Sequence, residues 1–273
     1  MSLWTWFGLT SGNASTDWPL KGDAHGQQGV LGMPRYDAAK CQDGCDACVQ
    51  ACVQACVTHA ITFSPELGEN ARPEVDWGRC IVCQLCTEAC PTGAFSPSDD
   101  WALGVRQRDD LVWAEALASG AASDLSERTR RPFRRSLHIR HVDAGSCNGC
   151  ESELQALNNP FYNLHRLGIF FTASPRSADV LLVTGPVTHA MRAPLLQTYE
   201  AMPDPKWVIA TGTCAVSGGV TGGNYACGNG LDGVLPVDIY LPGCPPNPAA
   251  IIHALLLLLG RAEQRMRGGQ LER

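Results

Sequence analysis

The sequence has no apolar run long enough to cross a bilayer. Its longest such stretch near the C-terminus, Ala249 to Gly260, is about half the required length and carries His253 in its middle. That stretch reads as a buried core helix, and no direct membrane span is expected. The opening residues MSLWTWFGLTSG hold neither a charged segment nor a sustained apolar one, which argues against a secretory signal. The pairs Arg130-Arg131 and Arg134-Arg135 sit too far inside the chain to be a twin-arginine export signal. There is no P-loop lysine motif and no basic excess. The 21 Lys and Arg are outnumbered by 27 Asp and Glu, for a net charge of −6. The imbalance lies in residues 1–110, with 7 basic and 14 acidic side chains, against 14 and 13 in residues 111–273. A strongly basic nucleic-acid binder is disfavoured, and no nucleic-acid partner is expected. These absences point to a cytoplasmic, reducing location, where clustered cysteines read as metal ligands more readily than as disulfides.

Cysteine is what the sequence has in excess. Fourteen in 273 residues is still below the roughly 8–10% of a small disulfide scaffold. They fall into groups: Cys41, Cys45, Cys48, Cys52 and Cys56; Cys80, Cys83, Cys86 and Cys90; Cys147 and Cys150; then Cys214, Cys227 and Cys244. The first two groups form an internal repeat, each ending in a Thr-x-Ala phrase, VTHAITF after Cys56 and PTGAF after Cys90. The grouping divides the chain into a cysteine-dense domain over 1–105, a connector over 106–135 with one short amphipathic helix, and a domain over 136–273.

From Leu137 onward, apolar strand runs alternate with helical stretches, the pattern of a parallel sheet with crossover helices. The expected strands are 137–142, 169–173, 180–185, 207–212 and 238–243; the expected helices are 150–158, about 189–202, and 247–268. Three of the remaining cysteine positions follow strand ends, the edge of an open parallel sheet where ligands bind.

Cys80-x2-Cys83-x2-Cys86-x3-Cys90-Pro91 is the bacterial [4Fe-4S] run, in which the fourth cysteine ligates the other cluster of a pair. Zinc shares the C-x2-C spacing but leaves the repeat and the Cys-Pro ending unexplained. The first unit departs from the pattern: Cys41-x3-Cys45-x2-Cys48-x3-Cys52 is followed by a second Val-Gln-Ala-Cys ending at Cys56. Five cysteines compete for four roles. An x3 spacer is kept either by Cys48 with Cys52 or by Cys52 with Cys56. The first choice keeps the lead-in Asp37-x3-Cys41 in register, and the second keeps VTHAI in register. Cys52 and Cys56 lie one helical turn apart, so direction excludes neither. The parse Cys41, Cys45, Cys48 and Cys52 is preferred. Cluster one then takes Cys41, Cys45, Cys48 and Cys90, and cluster two takes Cys80, Cys83 and Cys86 with Cys52 or Cys56. In the second domain, Cys147, Cys150, Cys214 and Cys244 form a 2 + 1 + 1 set at three strand ends that can converge on one further cluster. Glycines and prolines around each let the backbone approach closely and stiffen the loops. Three [4Fe-4S] clusters are therefore expected.

The phrases SCNGCE, LLVTGPVT, PDPKWVIATGTCAVSGG and PVDIYLPGCPPNPAA carry a resemblance. Residues 137–260 resemble the small subunit of [NiFe]-hydrogenases, a domain shared with the proximal-cluster subunit of respiratory complex I. The spacing Cys147-Asn148-Gly149-Cys150 fits the hydrogenase branch, since the complex I branch carries adjacent cysteines there. Residues 15–100, with the lead-in GMPRYD, are similar to the two-cluster ferredoxin subunit of complex I and of formate hydrogenlyase-type (group 4) hydrogenases. Val57 stands where that family usually has proline. The resemblance implies a flavodoxin-like α/β domain preceded by a small α+β ferredoxin domain, two normally separate subunits fused. It also implies that Cys147, Cys150, Cys214 and Cys244 hold the proximal cluster, beside a large-subunit partner that carries the nickel–iron centre. Further electron-transfer or membrane-arm subunits would be partners too, placing the chain at the inner face of the membrane only through them. A complex I-like module passing electrons to quinone is the second reading.

Glu151 opens a helix beside a ligand, where the helix dipole favours a carboxylate; it is read as a helix-start stabiliser and as a candidate proton relay. Gly228-Asn229-Gly230-Leu231-Asp232-Gly233 spells G-x-G-x-x-G but precedes a strand, so the context of a dinucleotide site is missing. The Arg128 to Arg140 cluster with His138 and His141 reads as a solvated face, a contact for an acidic partner surface or a charge balance for anionic clusters. Cys227 reads as a buried free thiol.

Overall fold

The computed structural model describes residues 5, 6, 10, 29–41, 46–63, 73–114 and 136–271, with residues 46–49 described by backbone alone. The first half is built on the repeat. One unit contains β1 (Arg35–Tyr36), α1 (Asp46–Ala55) and β2 (Ile61–Thr62); the other contains β3 (Glu74–Asp76), α2 (Leu85–Ala89) and β4 (Phe95–Ser96). The strand that opens each unit pairs antiparallel with the strand that closes the other, β1 with β4 and β3 with β2. The lead-ins match as well. Asp37 caps the 3-10 turn Ala38–Lys40 by accepting from the Ala39 N–H, and Asp76 caps Trp77–Arg79 by accepting from the Gly78 N–H. Each turn delivers a cysteine, Cys41 and Cys80.

The segment expected as a connector starts as part of this half. β5 (Val112–Trp113) pairs with β3 through Val75 and Trp113, completing a three-stranded sheet. Leu111 and Trp113 are buried there, because the apolar triplet Leu111-Val112-Trp113 has a sheet face to cover. Residues 115–135 of that connector, with most of the Arg cluster, lie outside the described residues.

The second half is the expected parallel sheet. In chain order it runs β6 (Leu137–Asp143), α3 (Gly149–Ala156), β7 (Ile169–Phe171), β8 (Val180–Thr184), α4 (His189–Glu200), β9 (Trp207–Thr211), α5 (Thr213–Ser217), β10 (Ile239–Leu241) and α6 (Pro248–Leu258). The strands pair in parallel in the order β10-β9-β8-β6-β7. Counted from β6 this is the flavodoxin order, with the topological switch point between β6 and β8. Every residue of β8 and β9 is buried, as befits central parallel strands covered on both faces.

Helix α6 is buried along its whole length and starts on Asn247, whose side chain accepts from the Ala250 N–H, with Pro248 in the first turn. It does not run to residue 268 as its pattern suggested. Gly260 adopts φ +65 just past its end, a left-handed stop of the kind glycine supplies. The chain then forms a hairpin of β11 (Met266–Arg267) and β12 (Gln270–Leu271). Its turn is Gly268-Gly269, both at positive φ, as a two-residue hairpin needs.

That hairpin ties the halves together. The Trp77 Nε1–H donates to the Gly269 carbonyl at 2.6 Å, and the Gly269 N–H donates to the Asp110 carbonyl at 2.8 Å. Val105 and Tyr240 exchange backbone hydrogen bonds of 2.9 and 2.8 Å, covering the otherwise open edge of β10. One apolar cluster runs from Tyr36, Trp77 and Phe95 through Met266 to Val183 and Ala215. A second, on the other face of the sheet, joins Ile139, Leu182 and Ile209 to α6.

Candidate iron–sulfur centres

The second-half site is made at the carboxyl edge of the sheet. After β6, the Asp143 carboxylate accepts from the Gly145 and Ser146 N–H groups at 2.8 and 2.7 Å, turning the chain so that Cys147 and Cys150 flank Asn148, itself at φ +69. Cys150 lies in the first turn of α3. Cys214 lies in the first turn of α5, directly after β9. Cys244 follows β10, between Gly243 at φ +135 and Pro245. Cys150 is buried, Cys214 half-buried, and Cys147 and Cys244 exposed.

The four thiols stand within electrostatic reach of one another. Burial pushes the Cys150 thiol up, and so do Glu151, Cys214, Cys244 and Cys147 in turn. Cys214 is pushed up to about 11 by burial, then by Cys244 and Cys147, and Cys244 is raised by burial and by Cys147. Among the described residues no three His, Cys, Asp or Glu side chains stand close enough to hold a single metal ion. The thiols are near enough to feel one another's charge without gathering on one point. Glycine leaves room against two of the sulfurs: a Cβ on Gly212 would lie 2.6 Å from the Cys150 sulfur, and one on Gly219 2.6 Å from the Cys214 sulfur. A soft four-thiol donor set with room left at its sulfurs suits an iron–sulfur cluster.

Glu151 is held beneath this site. Its carboxylate accepts from the Ser146 hydroxyl at 2.6 Å and from the Thr184 hydroxyl, and His141 Nε2 stands 3.5 Å away. His141 Nε2 also lies 3.0 Å from the Thr184 hydroxyl oxygen. Burial holds the His141 imidazole below its ordinary value, with Glu151 acting in the opposite direction. Ser146 and Thr184 escaped the reading of the sequence, and His141 was read there only as a member of the Arg128 to Arg140 cluster, not as a neighbour of Glu151. Cys227 is buried, as read; its thiol donates to the Gly222 carbonyl at 3.3 Å.

In the first half, Cys56, Cys80, Cys83 and Cys86 line one small cavity with the apolar side chains of Ile61 and Val75. Cys80 is pushed up to about 12 by burial, against a bond from the Val82 N–H, and by Cys86, Cys56 and Cys83. Cys86 is also pushed up to about 12, by burial and then by Cys56 and Cys83. Backbone donors point at the sulfurs, Val82 N–H at Cys80 and Ala60 N–H at Cys56, at 3.4 and 3.2 Å. Cys52 does not line that cavity. It is pushed up to about 12 by burial, then by Cys90, Cys86 and Cys41. Burial raises Cys90 too, but bonds from the Phe95, Thr92 and Ala94 backbone and the Thr92 hydroxyl outweigh it and leave that thiol lowered.

Cys56 thus lines the cavity with Cys80, Cys83 and Cys86, the place for which the preferred parse favoured Cys52. Both registers survive because the extra residues fall between Cys41 and Cys52 rather than at the end of the unit. Cys41 corresponds to Cys80, and Cys56 to Cys90: Cys56 and Cys90 each have a threonine hydroxyl two residues on, at 3.7 and 3.6 Å from the sulfur. Cys48 falls within α1, and Cys45 lies outside the described residues.

Residues 147–258 match the family described as NADH ubiquinone oxidoreductase, 20 Kd subunit. Residues 73–96 match the 4Fe-4S binding domain. The probable membrane-bound hydrogenase subunit mbhJ of Pyrococcus furiosus is 44% identical over 134 residues, which cover 49% of this chain and 80% of that protein. The chain belongs to this family of hydrogenase small subunits and complex I 20 kDa-like subunits. Formate hydrogenlyase subunit 7 of Escherichia coli K12 is 44% identical over 152 residues, 56% of this chain, and the chain spans 58% of that protein's length. Among solved structures, a chain of the membrane-bound sulfane sulfur reductase, an archaeal respiratory membrane complex, is 38% identical, with a TM-score of 0.42 over 46% of this chain and 70% of that one. The family member described here thus carries a 4Fe-4S binding segment before its α/β sheet, within a family of oxidoreductase subunits. No helix among the described residues is long and apolar enough to cross a membrane.

Proposed function

We propose that this chain is the electron-transfer small subunit of a group 4-like [NiFe]-hydrogenase, relaying electrons between a nickel–iron site on a large-subunit partner and an external donor or acceptor. Three [4Fe-4S] clusters are assigned. Cys147, Cys150, Cys214 and Cys244 hold the proximal one; Cys56, Cys80, Cys83 and Cys86 hold the second; Cys41, Cys52, Cys90 and one of Cys45 or Cys48 hold the third. A cluster of this kind supplies a site that takes up and releases one electron. The chain's own part is to hold the sulfurs, exclude water and fix the spacing.

The observation that carries this reading is the junction of the halves. The Thr213 hydroxyl, beside Cys214, donates to the Cys80 carbonyl at 2.8 Å, and the Ser217 hydroxyl donates to the Gly78 carbonyl at 2.8 Å. The second group is thereby the neighbour of the proximal one, and the third lies beyond it. Cys147 and Cys244 are exposed and offer the rim on which the large subunit sits. The complex is cytoplasmic, and any membrane attachment runs through partner subunits. Glu151, with hydroxyl groups on both oxygens, is kept as a proton-relaying candidate at that rim.

The test is hydrogen-dependent dye reduction by the complex co-purified on this chain, together with its nickel content. Nickel in the partner with hydrogen-dependent turnover is expected, and Cys214→Ser should abolish that turnover. A nickel-free partner that reduces quinone would overturn this reading in favour of the complex I-like one, which the matched family description also fits.

A further inference from the structure

The Thr213 side chain is buried, with 1% of its surface exposed, and both capacities of its hydroxyl are committed. The Gly243 N–H can only donate, so at 3.1 Å the Thr213 oxygen accepts from it. The Cys80 carbonyl can only accept, so the single hydroxyl proton points to it at 2.8 Å. The Thr213 N–H in turn donates to the Gly243 carbonyl at 2.9 Å. One side chain thus joins three backbone segments, and each carries a cysteine: Cys80 itself, Cys214 next to Thr213, and Cys244 next to Gly243. Ser217, one turn later in α5, makes the neighbouring contact to Gly78 but adjoins no cysteine.

We infer that Thr213 is the electronic bridge between the Cys80 group and the Cys214 group, a positioning residue whose hydroxyl supplies the shortest bonded route from one to the other. The route runs from the Cys80 sulfur along its own backbone to the carbonyl, across one hydrogen bond to the Thr213 oxygen, and along the Thr213 backbone to Cys214. Electronic coupling falls off less steeply along covalent and hydrogen bonds than across a van der Waals gap. Removing the hydroxyl would leave the longer route through the Ser217 to Gly78 hydrogen bond and van der Waals gaps. One electron leaves the reduced group and enters the oxidised one, with no covalent bond made or broken and no proton moved. The inference rests on the reading that both groups hold clusters.

The test uses the full chain, reconstituted anaerobically with ferrous iron and sulfide. Electrons are injected by a photo-excited deazaflavin, and freeze-quench electron paramagnetic resonance follows how fast they spread between the clusters. Thr213→Val should bind as much iron and sulfide as the wild type and give the same spectrum at full dithionite reduction, mutual broadening included. Its electron exchange should be several-fold slower. Thr213→Ser should restore the wild-type rate, and Ser217→Ala should keep it. A valine variant exchanging at the wild-type rate overturns the bridge, as does Ser217→Ala slowing exchange equally, since the contact would then only hold the halves in place. If Thr213→Val loses iron, Thr213→Ser and Ser217→Ala decide, and slowed exchange in the serine variant overturns the bridge. A wild-type chain that binds no iron would instead sink the cluster assignment itself.

Discussion

Cys52 and Cys56 are separated by one helical turn, yet they have different neighbours: Cys56 shares a cavity with Cys80, Cys83 and Cys86, while the thiol acting most strongly on Cys52 is Cys90. The reason is where α1 stops. It ends at Ala55, so Cys52 stays on the helix while Cys56 belongs to the turn beyond it, where the backbone swings the sulfur toward Cys80 and Cys86. Four-residue spacing puts two side chains on one face only while the helix continues. The Cys80 to Cys90 run was legible in the sequence, because thiolate spacing is itself the chemistry, and it falls in the matched 4Fe-4S binding segment. The place of Cys56 beside Cys80 was not, because it depends on a helix end that no capping residue announces. Paired substitutions check the assignment. Cys56→Ser and Cys80→Ser should alter the same cluster signal in the reduced full chain, whereas Cys52→Ser should match Cys90→Ser. If Cys52→Ser matched Cys80→Ser, the assignment would be reversed.

At the level of elements, strand positions in the second half were legible from alternating apolar runs and following glycines, and the parallel order followed from the crossover helices. The C-terminal end was misread because Leu256 to Met266 keeps enough apolar residues to imitate a continuing helix. Gly260 ends it, and the Gly268-Gly269 turn commits the remaining chain to a hairpin. That hairpin is specific in its fit. Gly269 has φ +72, and a Cβ there would lie 2.4 Å from the Trp113 Cβ. Gly269→Ala should therefore lower stability by at least about 1 kcal/mol, seen as a lower denaturation midpoint of the full chain. An unchanged midpoint would mean that the hairpin does not brace the first half.

Over the whole molecule, the sequence suggests two domains on a connector, and the described residues show two halves sharing an apolar cluster. Nothing in a local window signals that Val105 will pair with Tyr240, or that Trp77 will bond to Gly269. Those contacts join residues 135 and 192 positions apart, and their partners look like ordinary core residues in the sequence. Their consequence is functional, because a fixed junction sets the distance an electron must cross. The central claim is that this one chain carries three [4Fe-4S] clusters along a fixed path. It is tested most directly by measuring iron and acid-labile sulfide in the anaerobically purified full chain. The expected result is a brown protein with about twelve atoms of each per chain, four for each of three clusters. A colourless protein containing zinc, or an iron and sulfide content near eight or below, would contradict it.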